Sequence, residues 1–343
     1  MKEKIIKYFL QHSLTRKYLY ILLKLKNYKG IQEMGAECNS RRMLGLFEYD
    51  KLAKNIAPFF YPNEIQFYGF DHVVSKYTGL TNLKSTISNE HGFIFSTFVS
   101  NRYIKNDTIM TFSDFREEEI KKKYSDELNV AKIGPYIHYA DSLLSLEEKV
   151  NIKNEIGKTL LVFPFHSIDG VLSSFDTDTF IENIEKYKTE NNFDTVLVCL
   201  YWKDIQIGRA ESYISKGYKV TTAGHINDRF FLNRLRSIIE LSDFVISNEL
   251  GTYIAYCLCL NKKIKLINQK SEFVGEQGNE EHINRVGFLK IENHMISYYQ
   301  IQEKLMSILS HESPTTEGLE FVKDFFGLQH LKTASELKKI LMN

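Results

Sequence analysis

The sequence predicts an α/β protein organised on a parallel sheet. Between Gly157 and Asn268 five short apolar runs recur: Lys158–Phe165, Thr195–Trp202, Tyr218–Thr222, Phe244–Asn248 and Lys263–Asn268. Each is rich in β-branched or aromatic residues, and the segments between them are of helical length. Apolar runs that alternate with helical segments predict parallel strands covered on both faces. A third observation points to the site. Polar residues gather where the runs end: His166 and Ser167 after the first, Gly224 and His225 after the third, and Ser247 to Thr252 after the fourth. Open parallel sheets bind ligands at the carboxyl ends of their strands.

The 343 residues suit two domains of ordinary size. We place an N-terminal domain at 1–150, a C-terminal domain at 151–310 and a C-terminal helical segment at 311–343. Apolar content of 43% and charged content of 25% predict a soluble globular chain. No apolar run approaches the ~20 residues needed to span a bilayer, and no secretory leader is expected. Cys38, Cys199, Cys257 and Cys259 form no CxxC pair, so buried reduced thiols in a cytoplasmic protein are expected rather than a metal centre. Net charge is +1, but residues 1–29 carry eight Lys or Arg against Glu3 alone, a local +7 that leaves −6 for the rest. A general nucleic-acid binder is therefore not indicated.

Taken in order, residues 1–28 read as one or two basic amphipathic helices. They would either dock on an anionic membrane surface, at about 1 kcal/mol per basic residue, or pack on the domain with their lysines solvated. Residues 40–80 read as mostly helical, with a turn at Pro58 and Pro62. Leu83–Ile87 reads as a strand feeding the loop Ser88-Asn89-Glu90-His91-Gly92, where Glu90 or His91 could serve as a general base. A capping Glu and a surface His are the plainer account of the same residues. Asp107–Phe112 reads as a strand, Ser113-Asp114 as the cap of a solvated helix Phe115–Tyr124, and Asn129–Ile133 as a strand before the turn Gly134-Pro135-Tyr136. Asp141–Glu155 reads as a polar interdomain linker. Residues 269–285 read as a polar loop, and 296–343 as helices interrupted near Ser313-Pro314.

Three constellations carry chemistry. Gly224-His225-Ile226-Asn227-Asp228-Arg229 follows a strand and opens a helix over Arg229–Leu241, with Asn227 or Asp228 as N-cap. A helix N-terminus with His225 and Arg229 beside it suits a diphosphate, although an amphipathic helix with solvated Arg229, Arg234 and Arg236 explains most of the pattern. Ser247-Asn248-Glu249-Leu250-Gly251-Thr252 joins another strand to a helix. It offers backbone N–H groups, hydroxyls and a Glu able to accept bonds from a ribose or sugar diol. Neither a Walker loop nor a GxGxxG fingerprint is present. Asp176-Thr177-Asp178 has the DxD spacing of a metal-held diphosphate, but its position before a helix predicts capping, so no metal is assigned. The absence of a GxSxG elbow argues against a nucleophilic triad.

The Glu-His-Gly loop, the Gly-Pro-Tyr turn and the Gly-His and Ser-Asn-Glu-x-Gly-Thr turns together resemble bacterial GT-B-type glycosyltransferases of surface polysaccharide (capsule or O-antigen) biosynthesis. More loosely, they are similar to the CDP-glycerol glycerophosphotransferase group. The resemblance spans most of residues 60–270. It implies two Rossmann-like domains with parallel sheets facing an interdomain cleft, and C-terminal helices packing back. It further implies a metal-independent transfer from a nucleotide-sugar donor, with no cofactor, to a saccharide or lipid-linked acceptor. Glu90 or His91 would be the base. His166, Ser167, Gly224, His225, Arg229, Ser247, Asn248, Glu249, Gly251 and Thr252 would form the donor site. Phe93-Ile94-Phe95 departs from the polar continuation of the glycerophosphotransferase motif and favours a sugar donor. The enzyme would be cytoplasmic, held at the inner face of the membrane through residues 1–29. A nucleotide-sugar epimerase or a glycerophosphotransferase of related fold, and a non-catalytic scaffold of polysaccharide assembly, are the other readings.

Overall fold

A computed structural model describes residues 25–57, 64–81, 83, 84, 86–101, 103, 106–168, 170–275 and 292–342, together with Tyr18 and Leu22. Most of the basic stretch 1–29, and with it the expected membrane-docking helices, lies outside the described residues, as do Pro58 and Pro62.

The protein is mixed α/β with two parallel sheets. Helix α1 (Tyr28–Arg42) and the short α2 (Tyr49–Leu52) lead to a tight turn at Glu64–Gly69 and to α3 (Phe70–Thr78). The first sheet holds β1 (Ile87–Asn89), β2 (Thr108–Thr111) and β3 (Asn129–Lys132), all parallel in that order, with α4 (Asp114–Tyr124) crossing from β2 to β3. The expected linker is instead mostly helix, α5 (Leu146–Ile156). Its start is a capping box: Ser145 Oγ accepts from the Glu148 N–H at 3.2 Å and Glu148 accepts from the Ser145 N–H at 2.7 Å.

Then come β4 (Thr159–Phe163), β5 (Val171–Phe175), α6 (Thr177–Glu190), β6 (Thr195–Cys199), α7 (Trp202–Gln206), α8 (Ala210–Ile214), β7 (Lys219–Thr221), α9 (Phe231–Leu241), β8 (Phe244–Ser247), α10 (Thr252–Cys259), β9 (Ile264–Leu266) and β10 (Ser271–Gly275). The five predicted runs are the strands of one parallel sheet in the order β7-β6-β4-β8-β9. β5 and β10 form a separate antiparallel ribbon. Ser271–Gly275 was expected to be loop; it becomes a strand because Val171–Phe175 offers it a pairing edge far away in sequence. Asp176 caps α6 through the Thr179 N–H at 3.1 Å, as the sequence predicted.

Helices α11 (Glu292–Leu309), α12 (Thr316–Phe325) and α13 (Ala334–Met342) close the chain and pack back onto the first sheet. Phe326 meets Phe93 at 4.8 Å and Phe325 meets Phe115 at 5.3 Å. One buried cluster runs without a break from Val73, Met110 and Phe112 through Leu161, Leu197 and Val245 to Phe326, Leu337 and Leu341. Each such side chain contributes about 1.5–3 kcal/mol when fully buried, so the two sheets and the terminal helices share one core.

Helix α4 is less solvated than its charge suggested. Arg116 on it is 0% exposed. Arg234 on α9, expected in solvent, is also fully buried. It donates to the Ala223 carbonyl at 2.6 Å and pairs with Asp228 at 3.0 Å. Gly224, with φ of +102°, lies over this pair; a Cβ there would come within 2.9 Å of Arg234 Nη1. A glycine at 224 thus leaves room for the buried ion pair beneath the Gly-His turn.

Candidate active site

In the larger sheet the chain moves outward from β4 through β6 to β7, then returns to the other side of β4 for β8 and β9. The order reverses between β4 and β8, and a crevice outside the carboxyl ends of open sheets forms at such a reversal. A cavity of about 500 Å³ lies there. Its walls come from the segments after β1 (His91 to Phe95), β4 (Pro164 to His166), β6 (Leu200, Tyr201), β7 (Thr222, Ala223) and β8 (Leu250 to Thr252). The first belongs to the smaller sheet and the rest to the larger one. Strand ends of both sheets thus face a single cleft.

Two motifs picked from the sequence meet in it. The Phe93 N–H, just beyond the Glu-His-Gly loop, donates to Thr252 Oγ1 at 2.9 Å, so the loop sits on the N-terminus of α10. Gly251 precedes that helix, and a Cβ on it would stand 2.1 Å from the Tyr253 ring. That ring stacks on Phe163 with centroids 4.6 Å apart and lines the cavity. The two loops at the reversal are tied by the Phe165 N–H, which donates to Asn248 Oδ1 at 2.8 Å.

Of the expected site residues, His91, His166, Gly251 and Thr252 reach the cavity wall. His91 is exposed on the first-sheet side. His166 lines the cavity from the larger sheet, its ring 5.0 Å from Tyr201. Burial pushes its pKa down to about 4, so it is a neutral imidazole near pH 7.

The other expected residues lie off the wall, and all the buried ones are engaged with the protein itself. Glu90 is 0% exposed. It receives Arg116 through both oxygens, at 2.8 and 3.1 Å, and the Thr111 hydroxyl at 2.6 Å. The same Arg116 donates to the carbonyls of Ser96 and Phe98, at 2.6 and 2.8 Å, so this carboxylate anchors the loop that forms one wall. His225 is buried against Trp202 with ring centroids 4.5 Å apart, and its Nδ1 accepts the Asn227 N–H at 3.2 Å. The Ser167 N–H donates to buried Asp204 at 3.2 Å. Arg229, half-buried, precedes α9 and faces Gly69 through its carbonyl.

Ser247 bonds the Tyr253 hydroxyl at 2.6 Å. Glu249, 2% exposed, accepts from the Leu250 N–H at 2.8 Å, Gln302 at 2.6 Å, Tyr298 at 3.1 Å and the Ser271 hydroxyl. It therefore holds β10 and α11 against the sheet. The buried ones among these residues thus find their hydrogen-bond partners within the chain itself.

Sequence reasoning missed Tyr68, Tyr201, Tyr253, Tyr256 and Tyr298, all on the wall. Tyr201 stands at the end of an apolar run, so the strand-end rule could have found it. Tyr68 comes from the Glu64–Gly69 turn and gives no local signal. Among the described residues, no group of three His, Cys, Asp or Glu is placed to hold a metal ion, and no helix is long and apolar enough to cross a membrane.

No protein-family model matches the sequence, and no curated protein does. Solved structures it is similar to include the wall teichoic acid polymerase TagF, at 14% identity and a TM-score of 0.41, covering 71% of this chain and 59% of that one. Others are the lipopolysaccharide-biosynthesis glycosyltransferase WaaG (11%, TM-score 0.32, covering 72% and 65%) and the pneumococcal O-GlcNAc transferase GtfA, solved with UDP and GlcNAc (10%, TM-score 0.31, covering 68% and 44%). The chain thus spans less than two thirds of the length of each. With TM-scores of this size, the functional reading rests on the site itself.

Proposed function

We propose that the protein is a glycosyltransferase that moves a sugar from a nucleotide-activated donor to a hydroxyl of a saccharide or lipid-linked acceptor of a surface polysaccharide, without a protein-bound metal. The observation that carries this reading is the cavity at the sheet reversal, bounded by strand ends of both sheets, with His91 contributed after a strand of the smaller sheet and His166 after a strand of the larger. In the reaction, the acceptor O–H gives its proton to the His91 imidazole and the oxygen forms a bond to the anomeric carbon. The bond from that carbon to the diphosphate breaks, and the diphosphate leaves with the electron pair. Backbone N–H groups at the start of α10, beside Gly251 and Thr252, are the groups nearest the cavity that suit the departing anion. Glu90, consumed by Arg116, is left out of the chemistry. Asp176, engaged in capping α6, leaves the DxD spacing without a metal role. Residues 1–29 would keep the enzyme near a lipid-linked acceptor.

The test is a thermal-shift panel of the purified chain with CDP, GDP, UDP and dTDP, with and without magnesium. Ligand at about 100 times its dissociation constant stabilises by about 2.7 kcal/mol. A magnesium-independent shift with one nucleotide, reduced in His166→Ala, supports the reading. No shift with any of them counts against it.

A further inference from the structure

Tyr68 and Tyr201 meet across the cleft although 133 residues separate them, with their hydroxyls 3.3 Å apart. Tyr68 has φ of +60° and ψ of +15°. A bulky side chain rarely adopts this left-handed backbone, and such strain persists where the surroundings over-determine it, most often at functional sites. Here the clamp is visible. The Tyr68 N–H donates to the Ile226 carbonyl at 2.7 Å, and the Tyr68 ring packs on Phe231 at 4.7 Å. Gly69 lies so close to the Arg229 carbonyl that a Cβ would stand 2.0 Å from it. Tyr201 follows β6 and faces His166. Burial raises the pKa of both phenols, so each keeps its proton. Two phenols carry two protons, and one hydrogen bond between them uses one. Among the described residues, the second proton has no acceptor.

Among the described residues, the rest of the cavity wall carries no Asp, Glu, Lys or Arg, and it presents the rings of Phe163, Phe231, Tyr253 and Tyr256. Apart from the backbone N–H groups at the start of α10, nothing on this wall would offset a charge for its lost hydration, whereas a neutral ring with one hydrophobic face and a few hydroxyls would be matched on both counts. We propose that the Tyr68–Tyr201 pair is the specificity-determining contact of this cavity and reads a hydroxyl of a neutral sugar ring, donating the proton the pair does not use. The choice of a sugar rests on the transferase reading above; the donor pair and the charge-free wall do not.

Saturation-transfer NMR on the full chain tests the assignment with methyl glucoside, methyl galactoside, methyl N-acetylglucosaminide, glucuronate and octyl glucoside below its micelle concentration. The expected result is saturation of the ring protons of at least one neutral glycoside and none of glucuronate. At least one of Tyr68→Phe and Tyr201→Phe, which keep the rings, should weaken binding about fivefold, the loss of the one neutral hydrogen bond that the donating hydroxyl makes. Unchanged urea midpoints would show that both variants fold. Saturation confined to the octyl chain, none with any glycoside, or equal binding by wild type and both variants overturns the proposal. The nucleotide panel separates the two readings. A nucleotide shift without sugar contact sinks this assignment alone, and sugar contact without a nucleotide shift sinks the transferase reading alone.

Discussion

Replacing Glu90 by Gln removes one charge from an ion pair whose two side chains are both 0% exposed. The carboxylate accepts from Arg116 Nη2 and Nε at 2.8 and 3.1 Å and from the Thr111 hydroxyl at 2.6 Å; the amide keeps one acceptor oxygen without its charge, and its NH2 cannot accept from either partner. The guanidinium remains buried and charged, held by the Ser96 and Phe98 carbonyls and by at most a neutral bond to the remaining amide oxygen. Breaking one side of a buried pair costs about 3–5 kcal/mol. With a urea dependence near 3 kcal/mol per molar, the unfolding midpoint should fall by at least about 1 M. Because Arg116 pins the loop that lines the cavity, any nucleotide-induced thermal shift should shrink as well. His91→Ala is the contrast. His91 is exposed, so stability should stay within about 0.5 kcal/mol while turnover is lost. The reasoning is refuted if Glu90→Gln unfolds within about 1 kcal/mol of wild type yet loses turnover. The carboxylate would then act on substrate rather than on the loop.

Three further outcomes are expected. Gly251→Ala puts a Cβ into the Tyr253 ring; displacing that ring from Phe163 should cost about 1–3 kcal/mol in a denaturant titration and weaken nucleotide binding. Asp204 has its pKa raised to about 6, chiefly by burial. The folded state thus holds this proton to higher pH than the unfolded chain. The stability it contributes is complete below about pH 4 and lost as pH rises through about 6, on the order of 2–3 kcal/mol in all. Urea midpoints of wild type minus those of Asp204→Asn should fall across that window; a flat difference would remove the burial argument. Asp114 behaves in the opposite sense. Hydrogen bonds from Lys132 and His330 hold its pKa down to about 2, so its contribution is complete above about pH 4 and lost as pH falls through 2. The side chain is 52% exposed, so Asp114→Asn should change acid stability by less than about 1 kcal/mol.

Some of this was legible in the chain. The five apolar runs became the larger sheet because β-branched runs of that length, buried on both faces, have no other low-energy use. The strand-end rule led to His91, His166, Gly251 and Thr252, because a sheet's reversal point fixes where its carboxyl ends gather. Even the helix over the expected linker was legible, since Ser145-Leu146-Glu147-Glu148 is a capping box in plain sight. The partners of charged residues were not. Arg116 and Arg234 look like solvated helix charges along the sequence, and Glu90 like a catalytic carboxylate. Only long-range packing shows that Arg116 neutralises Glu90 from 26 residues away, and only the folded turn shows that Asp228, six residues before it, does the same for Arg234. The Tyr68–Tyr201 pair has no sequence signature either. Its geometry depends on a left-handed turn clamped by the Ile226 and Arg229 carbonyls. The pattern of apolar residues sets which elements form and where strand ends lie. Which polar groups are spent inside the protein, and which are left for a ligand, is settled by desolvation and pairing between segments that meet only when the chain has folded.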